Sequence, residues 1–240
     1  MKIITTEKGL VASALCYSIG FGFLCVIATF VYSGDLPSPS VRLALLSLAC
    51  VFILAGTRTL AKRKDSRQAE KKMRVAFSFV FLLYLAFLIT VTLFDPFFGR
   101  SGGGMLLSEA LPDIQSVKEY AKAHNNLIPF DTVRRFYSIA DKGDAGKRAF
   151  TVNVIGNLAA FSPLSFFLPV LFQKMRKFRY FITAVFLCVL AVESLQIILM
   201  TGSFDADDLI LNCTGASVVF LILRIPPLRR AVNKLTLIET

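Results

Sequence analysis

Tryptophan is absent and histidine occurs once, as His124, in a chain of 240 residues. A lone histidine cannot build an imidazole cluster, and His124 reads as a solvated loop residue. The five cysteines, Cys16, Cys25, Cys50, Cys188 and Cys213, contain no CxxC pair and all fall inside apolar runs. They read as small packing residues rather than a disulfide framework or a zinc site. No segment between the apolar runs is long enough for a separate soluble domain. The first run lacks a small-residue cleavage pattern after it, so it is read as a retained anchor and not as a signal peptide. Neither an aromatic-plus-basic RNA motif nor a helix-turn-helix pattern accompanies the net charge of +11, and nucleic acid is therefore set aside as a partner. No EF-hand loop, glycine-rich phosphate loop or nucleophile–base pair is recognisable, and no cofactor is indicated.

What the chain has instead is apolar length. Hydrophobic residues make up 55% of it, 23 of them phenylalanine. Runs of about 18 or more apolar residues are long enough to cross a bilayer as helix. Such runs are expected at Val11–Tyr32, Val41–Leu60, Val75–Phe94, Phe150–Phe172 and Phe181–Met200, with a shorter return at Leu209–Leu223. The expected fold class is an all-α, polytopic transmembrane helical bundle of about six spans. A five-span arrangement, with one segment lying on the surface, is the alternative.

Lysine and arginine orient the spans. They concentrate in Ala61–Arg74, in Gln173–Tyr180 and after Arg224, and basic loops stay on the cytoplasmic side. Both termini are accordingly expected to be cytoplasmic. The chain then divides into residues 1–74, two N-terminal spans and a basic loop; 75–225, a membrane domain; and 226–240, a basic tail. Ser33–Ser40 reads as a turn-rich loop and Arg100–Met105 as a flexible joint. Leu106–His124 has helical, amphipathic spacing. Asn125–Phe130 is expected to be extended, because the residue before a proline avoids helix. Pro163 and Pro169 are expected to interrupt the fourth span.

Polar groups within these spans stand out, since an ionisable group in a membrane is costly and by default functional. Glu193 lies seven residues before the outer end of span five at Met200, roughly 10 Å in at 1.5 Å per residue. Asn157 is as far from Phe150, and Asn153 is one turn shallower on the same face. Gln196 shares a face with Glu193. Asp208 and Asn212, four apart, share a face of span six. Asn126 approaches from the outer loop. Topology and rise thus bring Asn126, Asn153, Asn157, Glu193, Gln196, Asp205, Asp208 and Asn212 toward one level. Hard oxygens at Asp205, Asp207 and Asp208 offer a weak divalent-cation option. The amides, with outer Arg134, Arg135, Lys147 and Arg148, offer a head-group option. A desolvated Glu193 offers acid–base chemistry. Against these stands a plain reading: amides that only join helices, and a solvated aspartate turn that caps span six. Glu193 resists that reading, because a buried carboxylate needs a partner or a proton.

At these residues the chain resembles the VanZ-like family of bacterial membrane proteins. The resemblance rests on Asn126-Leu-Ile-Pro-Phe130, Asn153-Val-Ile-Gly-Asn157, Phe161-Ser-Pro163 through Pro169, Glu193-Ser-Leu-Gln196, Gly202-Ser-Phe-Asp205-Ala-Asp207-Asp208 and Asn212-Cys-Thr-Gly215. It spans roughly residues 75–223. Ser165 departs from the glycine that the family often carries there, which bears on local helix packing. The resemblance implies a plasma-membrane protein connected with the cell envelope and with susceptibility to teicoplanin, a lipoglycopeptide. The resulting expectation is a polar pocket open to the outer leaflet that binds a membrane lipid, a lipid-linked cell-wall precursor or a glycolipid. Pro129 would set the turn placing Asn126 over it. A cation-assisted enzyme acting on a lipid head group is the first alternative. A lipid or small-molecule transporter is the second, weakened by the lack of a matching polar cluster in the inner half.

Overall fold

An apolar segment that crosses a hydrocarbon core must satisfy its own peptide groups, and a helix does this within one segment. Six helices in the computed structural model are long and apolar enough to do so: Gly9–Ser33, Pro39–Ala61, Ser66–Phe94, Asp144–Leu171, Phe178–Ile198 and Ala206–Arg224. The chain is all-α with six candidate spans. The structure describes residues 2–33, 37–61, 65–95, 112–141 and 143–240, and for 2–8 the backbone alone. The Arg100–Met105 joint and the Leu106–Leu111 start of the amphipathic segment lie outside these residues.

The elements are α1 (Lys2–Ser33), α2 (Pro39–Ala61), α3 (Ser66–Ile89, continued by a π-helical turn Thr90–Phe94), α4 (Ile114–His124), β1 (Asn125–Asn126), α5 (Asp131–Ala140) and α6 (Asp144–Phe150). A second π-helical turn, Thr151–Ile155, leads into α7 (Gly156–Ala160) and α8 (Leu164–Leu171). A 3₁₀ turn at Gln173–Arg176 precedes α9 (Phe178–Ile198), β2 (Phe204–Asp205), α10 (Ala206–Arg224) and α11 (Pro226–Thr236). The chain divides into two compact units, Met1–Phe87 with Arg230–Thr240, and Leu88–Arg229.

In the first unit α1 and α2 pack through small residues. A Cβ on Gly56 would stand 3.2 Å from the Ser13 carbonyl oxygen, and one on Gly20 would stand 3.1 Å from that of Ala49. Small residues let helix backbones approach where lipid removes any hydrophobic drive between helices. The Tyr17 and Thr57 hydroxyls meet across this seam at 2.9 Å.

In the second unit the buried stripe of α9 is Phe181, Val185, Val189, Glu193 and Gln196. Steps of four and three keep one face turned inward, so Glu193 continues the seam that the apolar residues define. On α10 the buried residues are Asp207, Asn212, Gly215, Ala216 and Phe220. The Phe181 and Phe220 rings stack at 4.4 Å. Outward positions such as Leu187 and Leu221 are apolar and exposed, as suits a lipid-facing surface.

The structure adds to or differs from the sequence reading at four places. Only Asn125–Asn126 is extended. Ile128–Phe130 turns, with Phe130 at φ 65°, and the Ile128 N–H donates to Asn126 Oδ1 at 3.3 Å. Asparagine stabilises such turns by bonding the backbone two residues on. The stretch after it contains the helices α5 and α6. Pro163 marks a break between α7 and α8, whereas Pro169 lies inside α8 without breaking it. Ser165 is buried and donates its hydroxyl to the Ala216 carbonyl at 2.6 Å, so the hydroxyl joins α8 to α10.

Asp113 caps α4, accepting from the Gln115 and Ser116 amides at 2.9 and 3.0 Å. The Ser116 hydroxyl, then its amide, hold this carboxyl below the usual carboxylate range. A depressed folded value means the cap contributes above the usual range and is lost as pH falls through the lowered one. Asp113→Ala is expected to lower the protection of the Gln115 and Ser116 amides at neutral pH, measured as exchange relative to the unprotected rate. Unchanged protection would show the cap to be unimportant.

Candidate functional site

Two polar clusters form in the second unit, joined by the consecutive residues Asp207 and Asp208. The first is built around the turn before α10. Parallel pairing of β1 with β2 sets Asn125 opposite Phe204 and Asn126 opposite Asp205. Asp205 is the N-cap of α10: its Oδ1 accepts the Asp207 amide at 2.8 Å. Its Oδ2 accepts the Thr132 hydroxyl, and the Asn126 amide at 3.5 Å. Asn126 also donates to Thr132 Oγ1 at 2.8 Å.

Asp207 caps a different helix. Its two oxygens accept the Phe130 amide and, at 2.9 Å, the Val133 amide at the start of α5. The first amides of a helix lack intrahelical acceptors and carry a partial positive charge. Asp207 supplies both an acceptor and a negative charge there. Glu193 closes the cluster, its Oε2 accepting the Asp205 amide at 3.4 Å.

A solvated aspartate turn is therefore the wrong picture for this part of the chain: Asp207 is 1% exposed and Asp205 6%. Their oxygens are engaged by backbone and hydroxyl donors. Among the described residues no group of three or more His, Cys, Asp or Glu is arranged to hold a metal ion.

The second cluster faces a cavity of about 350 Å³. Asn153, Asn157 and Asp208 give its polar wall; Val91, Phe136 and Val152 are among its apolar residues. Asn157 donates to Asp208 Oδ1, and Asn212 donates to the Asp208 carbonyl at 2.7 Å and to Asn157 Oδ1 at 3.5 Å. Both π-helical turns contribute to the lining, through Val91 and Thr92 and through Val152 and Asn153. π-Helical turns are rare and occur mostly at functional sites. The first also explains Gln196. Thr92 lies in the last turn of its helix, where carbonyls lack intrahelical donors, and Gln196 Nε2 donates to the Thr92 carbonyl at 3.1 Å.

Asn153, Asn157 and Asp208 thus line the cavity directly. Asn212 and Gln196 stand behind the wall, bonded to residues that form it. Asn126, Asp205 and Glu193 belong to the capped turn and are not in the lining. The Oδ1 atoms of Asn153 and Asn212 and the Oε1 of Gln196 are buried without a hydrogen-bond partner. An unsatisfied buried acceptor costs about 1–3 kcal/mol, so this region lacks donors rather than acceptors. None of Arg134, Arg135, Lys147 or Arg148 lines the cavity. Arg135 pairs with Asp131 at 2.7 Å, and Lys147 lies 3.8 Å from Asp144.

Thr92, Thr132 and Phe136 are site residues that sequence reasoning missed. Thr92 and Phe136 become site residues through the π turn and through the placement of α5. Thr132 carried the one available signal, a hydroxyl three residues after Pro129 on the first turn of a helix.

Comparison with curated proteins and with solved structures returned no match. The VanZ/LLP1 family model matches residues 79–226, which include both clusters, the last three candidate spans and the second half of the third. Asn126, the Asn153–Asn157 pair, Glu193–Gln196 and the aspartates before α10 all fall within this match, and the chain belongs to the VanZ-like family.

Proposed function

We propose that this protein binds the head group of a glycolipid or lipid-linked cell-envelope precursor in the cavity lined by Asn153, Asn157 and Asp208. The observation that carries the reading is the 350 Å³ cavity whose wall sets the Asn153 and Asn157 amides beside the Asp208 carboxylate. A wall of amide and carboxylate oxygens suits a ligand rich in hydroxyl donors. A sugar is such a ligand, and the apolar part of the lining suits its lipid-proximal end. A phosphate offers mainly acceptors, and no cation lines this cavity to receive it. The amide and carboxylate together orient hydroxyls through several bonds at once, as pocket polar groups generally do.

The location that suits this role is a bacterial plasma membrane with the cavity facing the envelope side. The consequence is an altered pool of envelope lipid and reduced susceptibility to a lipoglycopeptide such as teicoplanin.

Native mass spectrometry of the detergent-purified chain tests this with Asn153→Leu, which keeps the residue's size and removes the unpartnered carbonyl. A co-purifying hydroxyl-rich lipid in the wild type is expected to bind about tenfold more weakly in the variant, a difference of about 1.4 kcal/mol. Expression of the wild type in a susceptible bacterium is expected to raise the teicoplanin concentration that stops growth, and the variant is not. Equal retention of the same lipid by both proteins would overturn the head-group reading.

A further inference from the structure

The first unit carries a separate groove of about 710 Å³, formed between α1, α2 and α3. Its α3 side consists of Gln68, Lys71, Lys72, Val75, Ala76 and Phe79. These positions step by three, one, three, one and three, which is a single helical stripe. The stripe has a polarity gradient. Its first turn presents an amide and two ammonium groups, and the next two turns present apolar side chains. From Lys71 to Phe79 the helix rises about 12 Å. On α2, the Leu60, Thr57 and Ile53 side chains form the opposing wall, also at steps of three and four. Because α2 and α3 are consecutive candidate spans, Leu60 lies near the end where α3 begins, and Ile53 lies deeper.

No carboxylate stands among the residues lining this groove. Glu70 turns to Arg74 instead, forming an i,i+4 pair at 2.8 Å. Lys71 and Lys72 are exposed at the mouth, and their long stems allow the ammonium groups to reach an interface. The deeper wall is apolar apart from Tyr17 and Thr57, whose hydroxyls bond each other at 2.9 Å. Positive charge at one end and an apolar channel behind it match one class of molecule end to end. Basic pockets between spans at a membrane surface hold acidic head groups, and each nearby lysine contributes measurably.

We propose that this groove is a binding site for one anionic phospholipid, with its phosphate at Lys71 and Lys72 and an acyl chain lying past Val75 toward Phe79. With the basic loop between α2 and α3 cytoplasmic, the lipid belongs to the inner leaflet. The site depends on residues 17–79 and is independent of the function proposed for the second unit.

The test is a native mass spectrometric titration of the full detergent-purified chain with phosphatidylglycerol, phosphatidylcholine and soluble glycerophosphoglycerol. Three proteins are compared: the wild type, Lys71→Gln/Lys72→Gln, and Lys174→Gln/Lys177→Gln as a control in a second basic segment. One phosphatidylglycerol is expected to bind the wild type and the control alike. The Lys71→Gln/Lys72→Gln protein is expected to bind it about 25-fold more weakly, about fivefold for each lysine. Phosphatidylcholine is expected to bind more weakly than phosphatidylglycerol, and the soluble head group is expected not to compete. Equal loss in the control would show a diffuse charge effect and overturn the site. So would wild-type affinity in Lys71→Gln/Lys72→Gln, equal binding of phosphatidylcholine, or competition by the soluble phosphodiester.

Discussion

Gly215→Ala is expected to lower the stability of the purified protein by about 3 kcal/mol or more, at the upper end of what overpacking a tight contact costs. A Cβ at this position would stand 1.9 Å from the Leu158 carbonyl oxygen and 2.6 Å from its carbonyl carbon. The obstruction is backbone, so no rotamer change relieves it, and shortening the Leu158 side chain does not rescue it. α10 and α7 must separate instead. That movement pulls Asn157 from Asp208 and Asn212, because the asparagine lies on the same short helix as Leu158. Thermal unfolding in detergent measures the effect. Gly22→Ala is the matched control, since nothing lies within 4 Å of its added Cβ. Equal melting temperatures for the Gly215→Ala and Gly22→Ala proteins would remove the close approach from the account of this fold.

The second large effect is expected at Asp207, and it separates two adjacent aspartates. Asp207→Ala removes the acceptor of the Phe130 and Val133 amides at the start of α5. Hydrogen bonds to a charged group contribute about 1.5–3 kcal/mol each. Part of this is recovered by water, because both bonds are only partly buried, and a net loss of about 3 kcal/mol is expected. Asp207→Asn keeps one acceptor oxygen and is expected to lose about half as much. Hydrogen exchange at the Phe130 and Val133 amides, and trypsin cleavage after Arg134 and Arg135, report the release of α5. Asp208→Asn is expected to leave both readouts near wild type while weakening retention of a lipid by the cavity. If exchange at Phe130 and Val133 is the same in Asp207→Ala as in the wild type, the carboxylate does not hold α5.

These two variants also bear on what the turn before α10 does in this chain. The turn Gly202–Asp208 serves two ends. Asp205 ties α10 to α5 through the Thr132 hydroxyl and Asp207 does so through the Phe130 and Val133 amides, while Asp208 meets the asparagines at the cavity. A motif dense in carboxylates therefore holds structure as much as it presents chemistry. Glu193 also touches the first group: its Oε2 accepts the Asp205 amide at 3.4 Å, in the capped turn. A loss of envelope phenotype in a Glu193 variant would be ambiguous between folding and binding, whereas the same loss in Asn153→Leu points to the cavity.

The sequence by itself determined the class of molecule. Apolar runs of spanning length, separated by short loops, leave helix as the way to satisfy the backbone in lipid. It also determined which spans carry polar groups, and counting along each helix brought several of them toward one level. Asn157, Asp208 and Asn212 could be brought toward one level from residue numbers alone. What arithmetic along separate helices does not contain is which faces meet. That was decided by Gly215, which lets α10 approach the Leu158 carbonyl, and by the stripe Phe181, Val185 and Val189, which turns Glu193 inward. The π-helical turns, the β1–β2 pairing and the capping of α5 by Asp207 were likewise decided only in three dimensions. Each links residues far apart in sequence: 125 with 204, 133 with 207 and 92 with 196. Local propensity and periodicity act over a few turns of one helix. Partners for buried carboxylates and unpaired backbone amides are found across helices, and that choice is made by packing.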